Sequence, residues 1–101
     1  MFLTVFRNRK RPDADMAAYA ADAARMEALA EGRPGYISIK SYVADDGEVV
    51  SISEWESEAA ALAWRRNAAH AEVQARGREH YYESYTLFAG EPSRVHHFPE
   101  K

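Results

Sequence analysis

The sequence predicts a single α+β domain in which four antiparallel strands form one sheet and two helices cover one of its faces. Three observations predict this fold. Runs of aromatic and branched residues alternate with two Ala-rich segments of helical spacing, in the order β-α-β-β-α-β. An Asp-Gly pair joins the two middle strands as a hairpin. The length of 101 residues fits one domain. This order of elements is the ferredoxin-like arrangement.

The first strand is predicted at residues 2–9, where apolar residues give way to polar ones. Phe2, Phe6 and Asn8 share one face of this strand, because side chains alternate along it. Asn8 has two interpretations: a strand-end residue that bonds nearby backbone, or a polar group directed into an apolar pocket. The basic run at residues 7–11 is interpreted as a strand end at the surface.

The first helix is predicted at residues 13–31, with Asp13 as its N-cap and Gly32 as its C-terminal stop. Asp22 is assigned to the polar side of this helix. The apolar side, which faces the sheet, is formed by six residues at helical spacing: Met16, Tyr19, Ala20, Ala23, Met26 and Ala30.

The second and third strands are predicted at residues 36–44 and 48–56. Strict alternation places Ile37 and Ile39 on one face of the second strand and Tyr36 on the other. The second helical region begins after Ser57, its predicted N-cap.

That helical region is predicted to break near Asn67 into two short helices, because its apolar pattern weakens there. The break directs His70, on the second short helix, towards the sheet. A fourth strand is predicted at residues 81–89. Residues 1–90 are expected to form the domain and residues 91–101 a surface arm.

Composition excludes several classes of function. The chain has no cysteine, so disulfides, thiolate catalysis and Cys-ligated zinc are excluded. The net charge of −3 and the absence of a basic run interleaved with aromatics argue against nucleic acid as a partner. No apolar run reaches membrane-spanning or signal-peptide length, so we expect a cytoplasmic protein without a membrane partner. No metal site is expected, because adjacent His96 and His97 point apart on an extended chain.

The sheet is expected to associate with a second copy of the chain. Both faces of its strands are partly apolar, whereas the two helices cover only one face. A large exposed apolar patch usually marks association. We therefore expect a homodimer in which two sheets pack face to face.

Residues 53–78 are interpreted as the lining of a pocket for a small aromatic molecule. They contain both tryptophans, Trp55 and Trp64, together with His70. Two structural interpretations stand beside this one. Trp64 would fill the space between helix and sheet, as buried tryptophans usually do, and His70 would form a hydrogen bond at a helix start.

The second half of the chain contains the run SEWES at residues 53–57, then Trp64 and His70, and then AEVQARGREHYYESY at residues 71–85. The first half contains PGYISIKSY at residues 34–42. These features resemble the antibiotic biosynthesis monooxygenase domain family over most of the chain. The resemblance implies a dimeric α+β barrel within the ferredoxin-like folds.

The resemblance also implies a function: a small cofactor-independent monooxygenase that oxidises an aromatic quinol or anthrone-type substrate with dioxygen in an apolar pocket. Together with the composition of the pocket, it makes His70 the candidate base, Asn8 the group that orients a substrate oxygen, and Trp64 an aromatic wall. Three further residues are candidate substrate-binding groups: Trp55, Arg78 and Tyr82.

Haem-degrading relatives provide an alternative. They use an Asn on the first strand, a Trp on the second helical segment, and a His about three turns later as iron ligand. Asn8 and Trp64 match this pattern, but the ligand position falls near Gln74, and His70 follows Trp64 by only six residues. The resemblance therefore implies no cofactor, with haem as the alternative. A non-catalytic dimeric domain that binds a small hydrophobic molecule is the other alternative.

Overall fold

The computed structural model of the protein describes residues 1–99, apart from the side chain of Ala68. Residues 91–99 contain no helix or strand. The last two residues of the arm predicted at residues 91–101 lie outside the described residues. The division into a domain and an arm stays a prediction.

Four strands and three α-helices confirm the predicted fold class, including the break in the second helical region. Their order is β1 (Phe2–Lys10), α1 (Met16–Glu31), β2 (Tyr36–Val43), β3 (Val49–Trp55), α2 (Glu58–Arg65), α3 (Ala68–Arg76), a π-helical turn (Gly77–Tyr81) and β4 (Tyr82–Gly90). The sheet is antiparallel with the strand order β2-β3-β1-β4, so β2 and β4 are its edges and the sheet does not close on itself.

The register of the strands defines the two faces of the sheet. The helix face carries Thr4 and Phe6 of β1, which lie opposite Ser53 and Ser51 of β3. The outer face carries a row of residues that runs across all four strands: Lys40, Ile52, Val5 and Phe88. The buried core lies on the helix face, where five buried residues pack together: Phe2, Met26, Ala30, Trp55 and Trp64.

A bulge in β2 overturns the predicted alternation of that strand. Tyr36 lies opposite Trp55 and Ser38 lies opposite Glu54. Two residues of β2 are therefore spaced against adjacent residues of β3, and Ile37 between them is an extra residue without its own partner on β3. Tyr36 therefore shares the helix face with Ile39, and Ile37 is 45% exposed. The Tyr36 hydroxyl accepts a hydrogen bond from the backbone N–H of Ile39 at 3.1 Å.

The first helix begins later than predicted. Asp15, and not Asp13, is the N-cap, since its carboxylate accepts a hydrogen bond from the backbone N–H of Ala18 at 3.0 Å. Of the six residues in the predicted apolar stripe, only Met26 and Ala30 are buried, and Met16 is exposed. The C-terminal half of α1 therefore supplies the buried core contacts, whereas Tyr19 and Asp22 of its N-terminal half border the cavity described below.

The second helical region follows the prediction closely. Ser57 caps α2 by accepting a hydrogen bond from the backbone N–H of Ala60. Asn67 then caps α3 through its side-chain oxygen, which accepts from Ala69 N at 3.0 Å and His70 N at 3.4 Å. A side chain that satisfies these N–H groups allows a new helix to start in a new direction.

Two arginines of the basic run tie β1 to the β2–β3 hairpin. Arg7 forms an ion pair with Glu48 at 3.2 Å, and Arg9 forms one with Asp46 at 2.8 Å. These charged side chains therefore lie at the surface of the sheet, as the sequence predicted. Among residues 1–99, no helix is both long and apolar enough to cross a membrane.

Gly35 is the point at which the β2 side of the sheet meets α2, and we predict that alanine there is destabilising. Its φ is +82°, and an added Cβ would lie 2.5 Å from the Cβ of Ala60. Strain and overpacking together should lower the free energy of unfolding by about 2–4 kcal/mol in Gly35→Ala. Urea unfolding followed by tryptophan fluorescence measures this.

Gly90→Ala is the matched control, because in the part of the chain that the structure describes nothing lies within 4 Å of an added Cβ at Gly90. We expect this variant to stay within about 0.5 kcal/mol of the parent, as exposed substitutions usually do. Equal stability of the two variants would contradict a tight contact between Gly35 and α2.

Candidate active site

A cavity of about 310 Å³ lies between the helix face of the sheet and the three helices. Its lining is mainly apolar and aromatic, with a few polar groups, as is usual for small-molecule sites. Five of the six candidate site residues from the sequence line it: Trp55, Trp64, His70, Arg78 and Tyr82. Asn8 is not among the lining residues.

Three stacked rings form one wall of the cavity. Trp55, at the end of β3, is 1% exposed, and its ring centroid lies 6.2 Å from that of Trp64 with 27° between the planes. The Trp64 ring in turn lies 4.7 Å from the imidazole of His70. Trp64 therefore both fills the space between α2 and the sheet and supports His70.

His70 owes its position to the cap of α3. Asn67 holds the backbone N–H of His70, which fixes the first turn of α3 close to the end of α2. The imidazole Nδ1 is buried and has no hydrogen-bond partner among the described residues. Burial lowers the pKa of His70 below its usual value, and hydrogen bonding with the Arg65 backbone opposes this only in part. At neutral pH the imidazole is uncharged and able to accept a proton.

The π-helical turn positions Tyr82 and Arg78. Gly77 allows the Tyr82 ring to pack directly on the backbone, since an added Cβ would lie 2.6 Å from that ring. Arg11 donates hydrogen bonds to the carbonyl oxygens of Arg78 and Tyr82, both at 3.1 Å. Burial raises the pKa of the Tyr82 hydroxyl, which therefore stays protonated and able to donate.

Asn8 lies on the helix face of β1, beneath the cavity rather than in its lining. Its side chain is 2% exposed, and its Oδ1 accepts a hydrogen bond from Lys10 Nζ. The Nδ2 group is buried without a partner among residues 1–99. Of the two interpretations offered by the sequence, backbone bonding of the Asn8 side chain is not observed among residues 1–99.

Sequence reasoning missed an ionic clamp along one side of the cavity. Asp22 accepts hydrogen bonds from Arg76 at 2.9 and 3.0 Å and from the Tyr81 hydroxyl at 2.9 Å. The assignment of Asp22 to the polar side of α1 is wrong, because its side chain is only 15% exposed. The hydrogen bond with Arg76 is the main cause of the lowered pKa of Asp22. The clamp joins α1 to α3 and to the π-helical turn, and helical spacing alone does not reveal such a partner.

The model of the antibiotic biosynthesis monooxygenase family matches residues 1–76. The chain belongs to this family. The matched part runs from β1 to the end of α3 and so contains the three stacked rings, whereas the π-helical turn and β4 follow it.

Three proteins of known sequence or structure are similar to the chain. An uncharacterized protein of Bacillus subtilis (strain 168), YqjZ, is 33% identical over 82 residues, which are 81% of this chain and 72% of that protein. The structure of Rv0793 from Mycobacterium tuberculosis has a TM-score of 0.80 at 23% identity and covers 93% of this chain and 96% of its own. SnoaB of Streptomyces nogalater, described as a cofactor-independent oxygenase, has a TM-score of 0.80 at 16% identity, covering 98% and 97%. At these identities the two structures show a shared fold.

The residues of this family member do not fit haem at the position that the haem-degrading pattern requires. Gln74 lines the cavity at that position, and an amide is not among the usual axial ligands of haem iron. His70 lies one helical turn earlier, with its ring against Trp64. Among the described residues, no cluster of three or more His, Asp or Glu side chains is placed to hold a metal ion.

We predict that the buried imidazole makes stability depend on pH between 7 and 5. The folded-state pKa of His70 is lowered, so below about pH 6.5 the unfolded chain binds more protons at this residue than the folded one. The free energy of unfolding should therefore fall as the pH falls through this window. Denaturant unfolding at a series of pH values measures the slope.

His70→Gln should flatten this slope, whereas His80→Gln, at an exposed position, should leave it unchanged. An unchanged slope in His70→Gln would show that the imidazole is as solvated in the folded state as in the unfolded one. The window stops at pH 5 because the carboxylate of Asp22, whose pKa is also lowered, begins to titrate in the unfolded chain below that value.

Proposed function

We propose that the protein is a cofactor-independent monooxygenase that oxidises an aromatic quinol or anthrone with dioxygen in the cavity between sheet and helices. One observation carries the proposal: an uncharged imidazole with a buried, unpartnered Nδ1 borders an apolar, aromatic cavity. A base that is deprotonated at neutral pH and shielded from water is suited to removing a proton from a weakly acidic phenol or methylene group.

The substrate itself supplies the electrons in this reaction. His70 removes one proton from the anthrone, and the resulting electron-rich anion transfers electrons to dioxygen and forms a C–O bond with it. The protonated His70 returns its proton to the peroxide anion, and the resulting hydroperoxide loses water, which breaks the second C–H bond and the O–O bond. One oxygen atom ends in the new carbonyl group and the other in water, so the methylene is oxidised by four electrons and dioxygen is reduced by four.

The remaining lining residues suit a flat aromatic substrate. Trp55 and Trp64 provide ring faces for stacking, and stacked or edge-on aromatic pairs add to the stabilisation from burial. The protonated Tyr82 hydroxyl and the Arg78 guanidinium are donors for substrate oxygen atoms. The charge that develops on a quinol or enolate oxygen makes such donors more effective than they are with the neutral substrate.

The decisive experiment measures oxygen uptake with anthrone and with a dihydroquinone by purified protein, with anthraquinone formation followed by absorbance. His70→Gln should lower kcat by about 10²–10⁴-fold, the usual contribution of a general base. In the parent, kcat/KM should fall as the pH is lowered through the depressed pKa of His70.

His80→Gln is the control, because His80 is an exposed histidine in the π-helical turn before β4. Equal turnover by His70→Gln and the parent would remove His70 from the mechanism. Saturable anthraquinone binding without oxygen uptake would instead favour the non-catalytic binding domain. A Soret shift on addition of haem would favour the haem alternative.

The active form is proposed to be a homodimer joined through the outer face of the sheet. On this face Ile52, Val5 and Phe88 form a continuous apolar row on three neighbouring strands, and Phe88 is 53% exposed. None of the three belongs to the buried core. A contiguous exposed patch of this kind favours association with a complementary surface, and a second copy offers the same patch by two-fold symmetry.

Phe88→Glu is predicted to produce a monomer, since it places a charge at the most exposed aromatic residue of this patch, where a buried unpaired charge would be costly in the dimer. Analytical ultracentrifugation measures the mass. Val43→Glu is the matched control, because Val43 is 73% exposed on an edge strand but lies on the helix face. A monomeric parent, or dissociation by Val43→Glu alone, would contradict the proposed interface.

A further inference from the structure

We propose that Lys10 is a positioning residue that holds the Asn8 amide in one orientation and thereby presents Asn8 Nδ2 as a hydrogen-bond donor to a substrate oxygen. The proposal rests on the monooxygenase function proposed above. Lys10 lies two residues after Asn8 and therefore on the same face of β1, although nothing in its sequence position marks it as a site residue.

Aromatic rings enclose the Lys10 ammonium group. Its Nζ lies 4.3 Å from the ring centroid of Tyr19 and 5.2 Å from that of Tyr82, which are cation–π distances. Both tyrosines line the cavity, so Lys10 lies directly behind the cavity wall. Burial lowers the pKa of Lys10, yet a lysine begins from a value near 10.4. A charged amine in this setting is restrained by the rings around it.

The hydrogen bond from Lys10 determines which way the Asn8 amide faces. An ammonium group donates hydrogen bonds and cannot accept them. It therefore bonds to Oδ1 of Asn8, as observed, because a flipped amide would place its NH₂ donors against another donor. The Nδ2 group is thus directed away from Lys10.

That Nδ2 group has no partner among the described residues, although Asn8 is only 2% exposed. Buried donors are rarely left unsatisfied, because their desolvation is not compensated. Two neighbours of Asn8 on the helix face line the cavity: Phe6, two residues earlier on β1, and Tyr85, opposite Asn8 on β4.

The group that would satisfy Nδ2 is an oxygen acceptor that enters between the lining side chains of Phe6 and Tyr85, at the β1–β4 end of the cavity. A quinol, enolate or ketone oxygen of the proposed substrate has this chemistry. The hydrogen bond strengthens when the oxygen becomes charged, so Asn8 would contribute more to the transition state than to substrate binding. Loss of Lys10 would leave Asn8 in place and allow its amide to rotate.

The test uses a double-mutant cycle on anthrone oxidation. Asn8→Ala should lower kcat by about 10²-fold, as the loss of a transition-state donor does. Lys10→Met keeps the apolar stem and should lower kcat by about 10–100-fold with little change in KM, the range typical of residues that orient a reacting group. The double variant should be no slower than Asn8→Ala, because the two residues act as one unit. Lys10→Arg should restore most of the activity, since a guanidinium also only donates.

Lys40→Met is the matched control. Lys40 also places its Nζ over a tyrosine ring, that of Tyr42 at 5.6 Å, but on the outer face. Because Lys40 pairs with Ile52 of the proposed dimer face, ultracentrifugation first checks that Lys40→Met has the same mass as the parent, and at equal mass it should keep the parent kcat. Two results would overturn the proposal, because each would show that Lys10 only stabilises the fold. One is an additive loss of kcat in the double variant. The other is a Lys10→Arg variant that is as stable as the parent but has no restored activity.

A second readout does not need turnover. The side-chain amide signals of Asn8 are followed by ¹⁵N NMR while anthraquinone, which has the acceptor oxygens but no oxidisable methylene group, is added. We expect a shift in the parent and in Lys10→Arg and none in Lys10→Met. This shift without oxygen uptake from anthrone would reject the monooxygenase function and keep the positioning role. An Asn8 amide that does not respond in the parent would overturn the positioning role even if anthrone is oxidised.

Discussion

The packing of Trp55 is the contact on which the rest of the structure depends. This residue ends β3, pairs in register with Phe2 of β1 and with Tyr36 of β2, and is almost completely buried. Its ring contacts Tyr36 edge-on and stacks against Trp64 of α2. Three strands and one helix therefore meet at a single side chain. Because the same stack continues to His70, core packing and the position of the candidate base are fixed by one set of contacts.

The apolar stack also explains the electrostatic state of the cavity. Each ring removes water from its neighbour, so a titratable group at the end of the stack has little solvent to stabilise a charge. Among the ionic groups of the lining, the carboxylate of Asp22 is neutralised by Arg76, whereas the Arg78 guanidinium is a charged donor. A substrate that becomes an anion in this cavity meets fixed donors, which is the setting in which such donors contribute most to catalysis.

Patterns that are local in sequence were sufficient to predict the elements, because caps and hairpins are decided by a few neighbouring residues. Ser57, Asn67 and the Asp-Gly turn all act within four residues of their own position. The bulge at Ile37 was not predictable in this way, since it depends on which residue Trp55 selects as its partner across the sheet. The partners of Asp22 and the tyrosine rings around Lys10 were missed for the same reason: they lie on other elements and are set by tertiary contact, whereas helical and strand periodicity describe only one element at a time.

The π-helical turn has a consequence for how the pocket can vary between related proteins. It contains one more residue per turn than an α-helix, and it ends directly before β4. Deleting one residue there would restore α-helical geometry and rotate the preceding side chains by about 100° relative to the strand, while the pairing of β4 with β1 stayed intact. Arg76, the last residue of α3, would then leave the Asp22 clamp, and a different side chain would take its place. Chain length at this turn, as well as residue identity, thus sets the chemistry of the cavity wall.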